Sequence, residues 1–563
     1  MIGAWPQPYT LFGRGLGFSA LLAALPTLLL LYLLVVKRTA SWIAALAGMA
    51  ATLVLAMGAY GMSVKHALSS AADGASFGVF PISWVVYWAL VLYEMTVVTG
   101  KFEVIKDSIG SITSDKRMQA LLIAFAFGAF IEGCAGFGAP VAVAAAMMVG
   151  LGYSALYATS ICLLADTAPV VFGSIGIPVI TLAGVTGLPL LHEHGVAGLS
   201  AVAGRLTAPM SFLLPAYIIL VTSGFSAMVE VWPALLTCGA VFASIQFYVS
   251  NSIGPQLTDI LASIAAMVAL VVLLRFWEPK HSGVSDREAD RAMKETRDEL
   301  PLREHDLRTP RHYSAGEIWS AWVPYALLVV CVLAWGYPPI LAKLDSVTLK
   351  IAWPGLHNEI LRMPPVVTHP TKYAAIYSFT WASASGTAAM VAAILSAIFC
   401  GMKPRDFFGV LISVAKKLIT PTITVAAMLA MAFTMNYSGA TGTLGLAFAT
   451  TGKVFPFFSP IMGWLGVFLT GSDTSSNALF GPLQVVSANR LGFDPILIAA
   501  ANSVGGVMGK MISLQSIAVA AAAAGLTVSD QARLFRFTLK HSIFLACVVG
   551  VEVMLYAYLG HAR

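Results

Sequence analysis

Apolar residues run through the chain in blocks of about twenty, the length a helix needs to cross the hydrocarbon core of a bilayer. Such blocks occupy 17–36, 42–62, 77–98, 208–225, 232–250, 258–275, 321–341, 384–400, 415–436 and 542–559. The first is longer than the apolar region of a signal peptide and ends in Lys37 and Arg38, so it reads as a span rather than a cleaved leader. Two further stretches, 119–186 and 457–525, are apolar but interrupted by Gly, Pro, Ser, Asp and Asn. They are too long for one span and too broken for plain helices.

Composition agrees with the pattern. Of 563 residues 58% are apolar and 11% charged, with a mean hydropathy of +0.82. Soluble domains carry roughly 25% charged residues. Seventeen of the charges fall between Lys280 and Glu317, which leaves the apolar blocks almost uncharged. A soluble enzyme, a secreted disulfide scaffold, a disordered chain and a nucleic-acid binder are all excluded. The six cysteines are scattered singly, without CxxC or His at ligand spacing, and read as small packing residues; neither a metal nor a cofactor is expected.

Short-loop charges set the orientation. Lys37-Arg38, the group Lys101, Lys106, Lys116 and Arg117, the group Lys403, Arg405, Lys416 and Lys417, the segment 280–317, and Arg533, Arg536 and Lys540 should face the cytoplasm. Counting spans between these markers requires 119–150 to be a re-entrant hairpin that enters and returns on the cytoplasmic side, and 154–186 to cross once as a broken helix. The second region mirrors it, with a hairpin at 457–489 entered from outside and a broken helix at 496–525. The total is roughly twelve crossings, with both termini outside. The expected fold is therefore an all-α polytopic membrane protein. A first repeat (1–231) is followed by two linking helices (232–275), a charged cytoplasmic linker (276–320) and a second repeat (321–563).

The halves resemble each other. Residues 128–133 (GAFIEG) align with 466–471 (GVFLTG) at an offset of 338, and Asp166, Thr167 and Gly173 align with Asn502, Ser503 and Gly509 at 336. Seven crossings precede the second copy, so its topology is inverted. Inverted repeats with interrupted helices in matching places point to a secondary transporter and to its binding site.

The breaks carry the candidate chemistry. At the first hairpin tip, Gly136 and Gly138 would leave backbone groups and a helix N-terminus facing an anion. At the second, Ser472, Thr474, Ser475, Ser476 and Asn477 offer hydroxyls and an amide to a small carboxylate or hydroxy group. Close helix packing accounts for the glycines alone, but not for a run of polar side chains. Asn502, Lys510 and Ser513 on the second broken helix complete the substrate-binding set. Lys510 suits either a substrate carboxylate or neutralisation of Asp473. Glu132, Asp166 and Asp473 are ionisable groups at membrane depth, where an ionised carboxylate costs about 2.5–3.5 kcal/mol on insertion scales. They are the candidates for proton coupling; Glu94, near a span end, is a weaker one. His192, His194 and His357 fall in outside loops and read as solvated or capping residues.

At these residues the chain resembles the bacterial L-lactate permease family, the lactate/glycolate permeases. The resemblance rests on 127–140 (FGAFIEGCAGFGAP), 167–178 (TAPVVFGSIGIP), 362–367 (RMPPVV), 463–480 (GWLGVFLTGSDTSSNALF) and 509–518 (GKMISLQSIA). Asp166 stands where many members are expected to have Asn, and Leu514 where Pro is expected. The resemblance implies proton symport of L-lactate, D-lactate and glycolate across the bacterial inner membrane, and a fold with paired re-entrant hairpins. Its partners would be these substrates, protons and the lipid bilayer, with no nucleic acid and no enzymatic activity. Sodium coupling or carboxylate exchange is the alternative. An intramembrane aspartyl protease built on Asp166 and Asp473 is a remote one, lacking the GxGD context.

Overall fold

The computed structural model describes residues 4–136, 138–193, 196–279 and 313–559. Most of the charged linker (280–312), both extreme termini, His194 and the hairpin residue Phe137 lie outside the described residues. Among the described residues ten helices are long and apolar enough to cross a membrane, and two bent pairs bring the number to twelve. Helices are what a hydrocarbon solvent demands, because each satisfies its own backbone hydrogen bonds.

Each apolar block overlaps a helix, and several helices outrun their block. Those expected at 208–225 and 415–436 extend to Leu199–Glu230 and Pro404–Ser438. The element expected at 77–98 begins at Val64 and breaks at Phe80 and Pro81, where the backbone leaves helical geometry. Hydropathy missed its first half because Lys65, His66, Ser69, Ser70 and Asp73 dilute it. A further helix, Ala440–Phe448, precedes the second hairpin.

Strands are present where none were expected. After Ala315–Gly336 the chain forms a short helix, Pro338–Asp345, and then two small sheets. Leu349–Ala352 pairs antiparallel with Ile376–Phe379. Ile360–Arg362 pairs antiparallel with Thr371–Lys372 and parallel with Trp5–Pro6, so the N-terminal segment is tied into this cap.

Helices from the two sequence halves pack across each other. Pro404–Ser438 lies against Ser41–Gly58 and Val64–Phe77, and Ser385–Phe399 lies against Trp84–Val98. A glycine allows the first crossing, since a Cβ on Gly74 would stand 2.3 Å from the Leu429 carbonyl oxygen. Burial then ranks the helices by environment. Leu16–Val35 exposes Leu21, Leu25 and Leu28, as a lipid-facing helix does, whereas residues 117–134 are buried without exception. The first hairpin arm is thus wrapped in protein, the setting in which broken backbone at membrane depth is tolerated.

Candidate functional site

The two interrupted stretches fold as helical hairpins followed by bent helices. The first hairpin runs from Lys116 to Cys134, turns through Ala135, Gly136 and Gly138, and returns as Ala139–Gly150. Its first arm is widened into a π-helix over Ala120–Phe127, a feature often found at functional sites. Gly136 and Gly138 both have positive φ, +62° and +82°. The second hairpin pairs Phe455–Thr470 with Asp473–Leu491 through Gly471, φ +73°.

The bent helices are Ala155–Ala165 with Val170–Thr186, at 66°, and Pro495–Lys510 with Leu514–Ala523, at 41°. In the first, Ser174 (φ 48°), Ile175 (φ 60°) and Gly176 (φ 76°) are all left-handed. A β-branched residue there is strained by sterics alone, and such strain gathers at functional sites. Ser174 Oγ donates to the Ala135 carbonyl at 3.1 Å and so fastens this break to the first hairpin tip.

Three buried carboxyl groups act on one ammonium, and a fourth lies beside two of them. Lys510 Nζ lies 4.0 Å from Glu132 Oε1, and its charge also acts on Asp166 and Asp473. Asp259, in the first turn of Thr258–Leu273, interacts with both Glu132 and Asp166. Lys510 ends its helix, where the dipole favours a cation; Asp473 and Asp259 begin theirs, where it favours an anion. Asp166 caps the C-terminal end of Ala155–Ala165, where the helix carbonyls oppose a negative charge.

Five oxygens of these groups have no hydrogen-bond partner among the described residues: Glu132 Oε2, both Asp166 carboxylate oxygens, Asp259 Oδ2 and Asp473 Oδ1. A buried polar atom without a partner costs about 1–3 kcal/mol, more when charged. One ammonium cannot neutralise four buried carboxylates, so the four are not all ionised together. Among the described residues no group of three His, Cys, Asp or Glu side chains is placed to hold a metal ion.

Asp473 anchors a neutral network beside this cluster. Its Oδ2 accepts from Ser503 Oγ and, at 3.2 Å, from Asn477 Nδ2. Asn477 Nδ2 also reaches the Pro178 carbonyl at 3.2 Å, while Asn502 Nδ2 donates to Asn477 Oδ1 at 2.9 Å. Gln484 Nε2 then donates to Asn502 Oδ1 at 3.2 Å. Both bent helices and the second hairpin meet in this network.

The sequence-derived residues divide by role. The structure brings Glu132, Asp166, Asp473, Asn477, Asn502 and Lys510 together. Lys510 forms its ion pair with Glu132 rather than with Asp473. Ser472 caps Asp473–Leu491, Ser476 donates to the Gly463 carbonyl within the hairpin, and Ser513 caps Leu514–Ala523. Thr474 and Ser475 lie in the first turn after Ser472. Gly136 serves close approach, with Ser174 Oγ and Glu132 Oε1 beside its Cα, and Gly138 packs on Val519. Glu94 is paired with Lys417 at 2.8 Å, away from the cluster. Among the described residues Asp166 and Asp473 share no hydrogen bond.

Asp259 was missed because it opens an apolar block and reads there as an interfacial residue. Its neighbour Gln246, whose Nε2 reaches Asp259 Oδ1 at 3.5 Å and whose Oε1 accepts from Ser211 at 2.7 Å, was the available signal: three polar residues inside adjacent spans. Arg117, read as an orientation marker, is buried between Asp115 (2.8 Å) and Glu230 (2.7 Å) and anchors the base of the first hairpin.

The L-lactate permease family model matches residues 19–560. The chain is 42% identical to the L-lactate permease of Bacillus subtilis (strain 168) over 568 residues, covering 98% of both chains. It is 41% identical to the L-lactate permease of Escherichia coli (strain K12), and 41% identical to Glycolate permease GlcA of that organism, again over 98% of each chain. Among solved structures it is similar to the Alcanivorax borkumensis YdaH transporter, with a TM-score of 0.46 and 14% identity over 87% of each chain.

Proposed function

The chain belongs to the L-lactate permease family, and from that premise we propose that it takes up L-lactate, D-lactate and glycolate across the bacterial plasma membrane together with a proton. The observation that carries this reading is the buried ammonium of Lys510 held against Glu132 among further carboxyl groups.

A small 2-hydroxymonocarboxylate needs a cation for its carboxylate and neutral polar groups for its hydroxyl. Lys510 supplies the first and the Asn477, Asn502 and Ser503 network the second. In the resting arrangement Glu132 occupies Lys510. Protonation of Glu132 removes its charge and frees the ammonium for the substrate anion, so that proton and anion bind together. Asp166 and Asp473 are the further groups that hold the proton. One anion moving with one proton is electroneutral, and uptake then follows the pH gradient rather than the voltage.

The two hairpins and two bent helices are read as inverted repeats that rock about this site to expose it alternately to each side. Loop charges orient both termini outward. The test is L-lactate uptake into proteoliposomes of purified protein under an imposed pH gradient. Accumulation above the external concentration that collapses with a protonophore is expected. Uptake that ignores pH and requires sodium, or that requires internal lactate, would overturn the proton assignment.

A further inference from the structure

The cap over the helices holds an arginine that the transport site does not use. Arg362, at the end of strand Ile360–Arg362, lays its guanidinium 4.2 Å above the ring of Tyr373. Tyr373 packs against Tyr437 with ring centroids 4.7 Å apart, and Tyr9 Oη accepts from the neighbouring Met363 N–H at 3.3 Å. The charge of Arg362 acts on all three phenols. Its Nε is buried with no hydrogen-bond partner, and the guanidinium enters no ion pair among the described residues. The acids nearby are engaged: Glu359 is taken by Lys65 (2.9 Å) and His66 (3.2 Å), and Asp73 accepts from Tyr437 Oη at 3.1 Å.

A guanidinium is a planar fork of donors matched to a carboxylate. Half-buried against aromatic rings, with no acid of its own, it is a receptor for an anion. Its surroundings raise the local concentration of anions: residues 338–384 carry four Lys or Arg against two Asp or Glu. One rigid element joins it to the buried site. Asn436, adjacent to Tyr437, donates to the Val185 carbonyl at 3.5 Å, and Asn477 donates to the Pro178 carbonyl on the same helix. Those two carbonyls stand about 10 Å apart along that helix.

We propose that Arg362, framed by Tyr9, Tyr373 and Tyr437, is a second binding site for the carboxylate of the transported monocarboxylate, occupied on the cap side before the anion passes to Lys510. The loop charges assign that side to the outside. This proposal rests on the lactate-transport reading above.

The test is L-lactate uptake into proteoliposomes by the wild-type protein, Arg362→Gln and Arg362→Lys, with melting temperatures of the purified proteins. For Arg362→Gln we expect KM to rise about tenfold or more with Vmax nearly unchanged, since a charge-assisted carboxylate contact is lost. Arg362→Lys should fall between, keeping the charge without the fork. A KM that stays put, or one that rises only in step with a lowered melting temperature in both variants, overturns the proposal. Should the Arg362 variants fail to fold, Thr371→Cys keeps the question open to measurement. Thr371 is the strand partner of Arg362, so the two side chains share a face. L-lactate should slow labelling of that thiol by a membrane-impermeant maleimide, and an unchanged rate overturns the proposal. Failure of the wild type to transport lactate refutes the transport reading itself, a different result from wild-type transport with an indifferent Arg362.

Discussion

Lys510 Nζ stands 4.0 Å from Glu132 Oε1, joining the break of the second bent helix to the tip of the first hairpin. The ion pair spans the two sequence halves, and both partners are almost wholly buried. A charge buried this way is tolerable only while its partner remains, so the pair ties the stability of each half to the charge carried by the other.

Removing the ammonium should be more damaging than removing the pair. Lys510→Met leaves Glu132, Asp166 and Asp473 without a counter-charge, and breaking a buried pair typically costs about 3–5 kcal/mol. The double variant Glu132→Gln with Lys510→Met should recover part of the lost melting temperature but no lactate uptake. A double-mutant cycle on thermal melts measures the coupling, expected at roughly 0.5–3 kcal/mol. Additive effects would show that the two groups do not interact.

Glu132→Gln alone separates proton movement from substrate movement. It keeps the shape of the side chain and leaves Lys510 free for an anion. Exchange of internal for external lactate should persist within a fewfold, while accumulation driven by a pH gradient disappears. Counterflow and gradient-driven uptake in the same vesicles read the two quantities. If accumulation survives in Glu132→Gln but fails in Asp473→Asn, the proton resides on Asp473 instead.

Sterics give a prediction independent of charge. A Cβ on Gly506 would lie 2.5 Å from Asp473 Oδ1 and 2.8 Å from Val467 Cγ2. Asp473 is held by Ser503 and Asn477 and has little freedom to yield. Overpacking of this kind costs about 1–3 kcal/mol, so Gly506→Ala should lower uptake roughly tenfold through displacement of Asp473. Gly17→Ala, with nothing within 4 Å of its Cβ, is the matched control and should be silent.

Much of this site could be read without coordinates because membranes make ionisable residues rare. Once the apolar blocks were set aside, Glu132, Asp166, Asp473 and Lys510 were conspicuous by their position in broken helices, and they meet in space. Their partners were not legible in the same way. Asp259 belongs to an unbroken helix, and its place beside Glu132 depends on a loop, 253–257, that packs against Gly176 through Pro255. The serines carry two readings at once. A hydroxyl at a break serves the orphan N–H groups of a helix start as readily as it serves a ligand, and Ser472 and Ser513 both accept such a bond. The cap escaped notice because its strands are two to four residues long, too short for alternation to show.

The base of the first hairpin supplies a pH dependence whose sign can be worked out. Asp115 caps the hairpin arm, accepting from the N–H groups of Arg117 (2.8 Å) and Met118 (3.3 Å), and pairs with the Arg117 guanidinium. Burial works to raise its carboxyl, but the bonds and charge of Arg117 outweigh it and hold the group below the ordinary carboxylate range. A group depressed in the folded state contributes stability above its unfolded value, near about 3.9, and loses it as pH falls through the folded value. Asp115→Asn should therefore destabilise the protein at neutral pH by about 3 kcal/mol, the low end for a broken buried pair because Arg117 keeps Glu230. As pH drops below the carboxylate range the wild type should converge on the variant. Melting temperatures of both proteins across that range provide the measurement, and parallel curves would mean that Asp115 is not the titrating partner of Arg117.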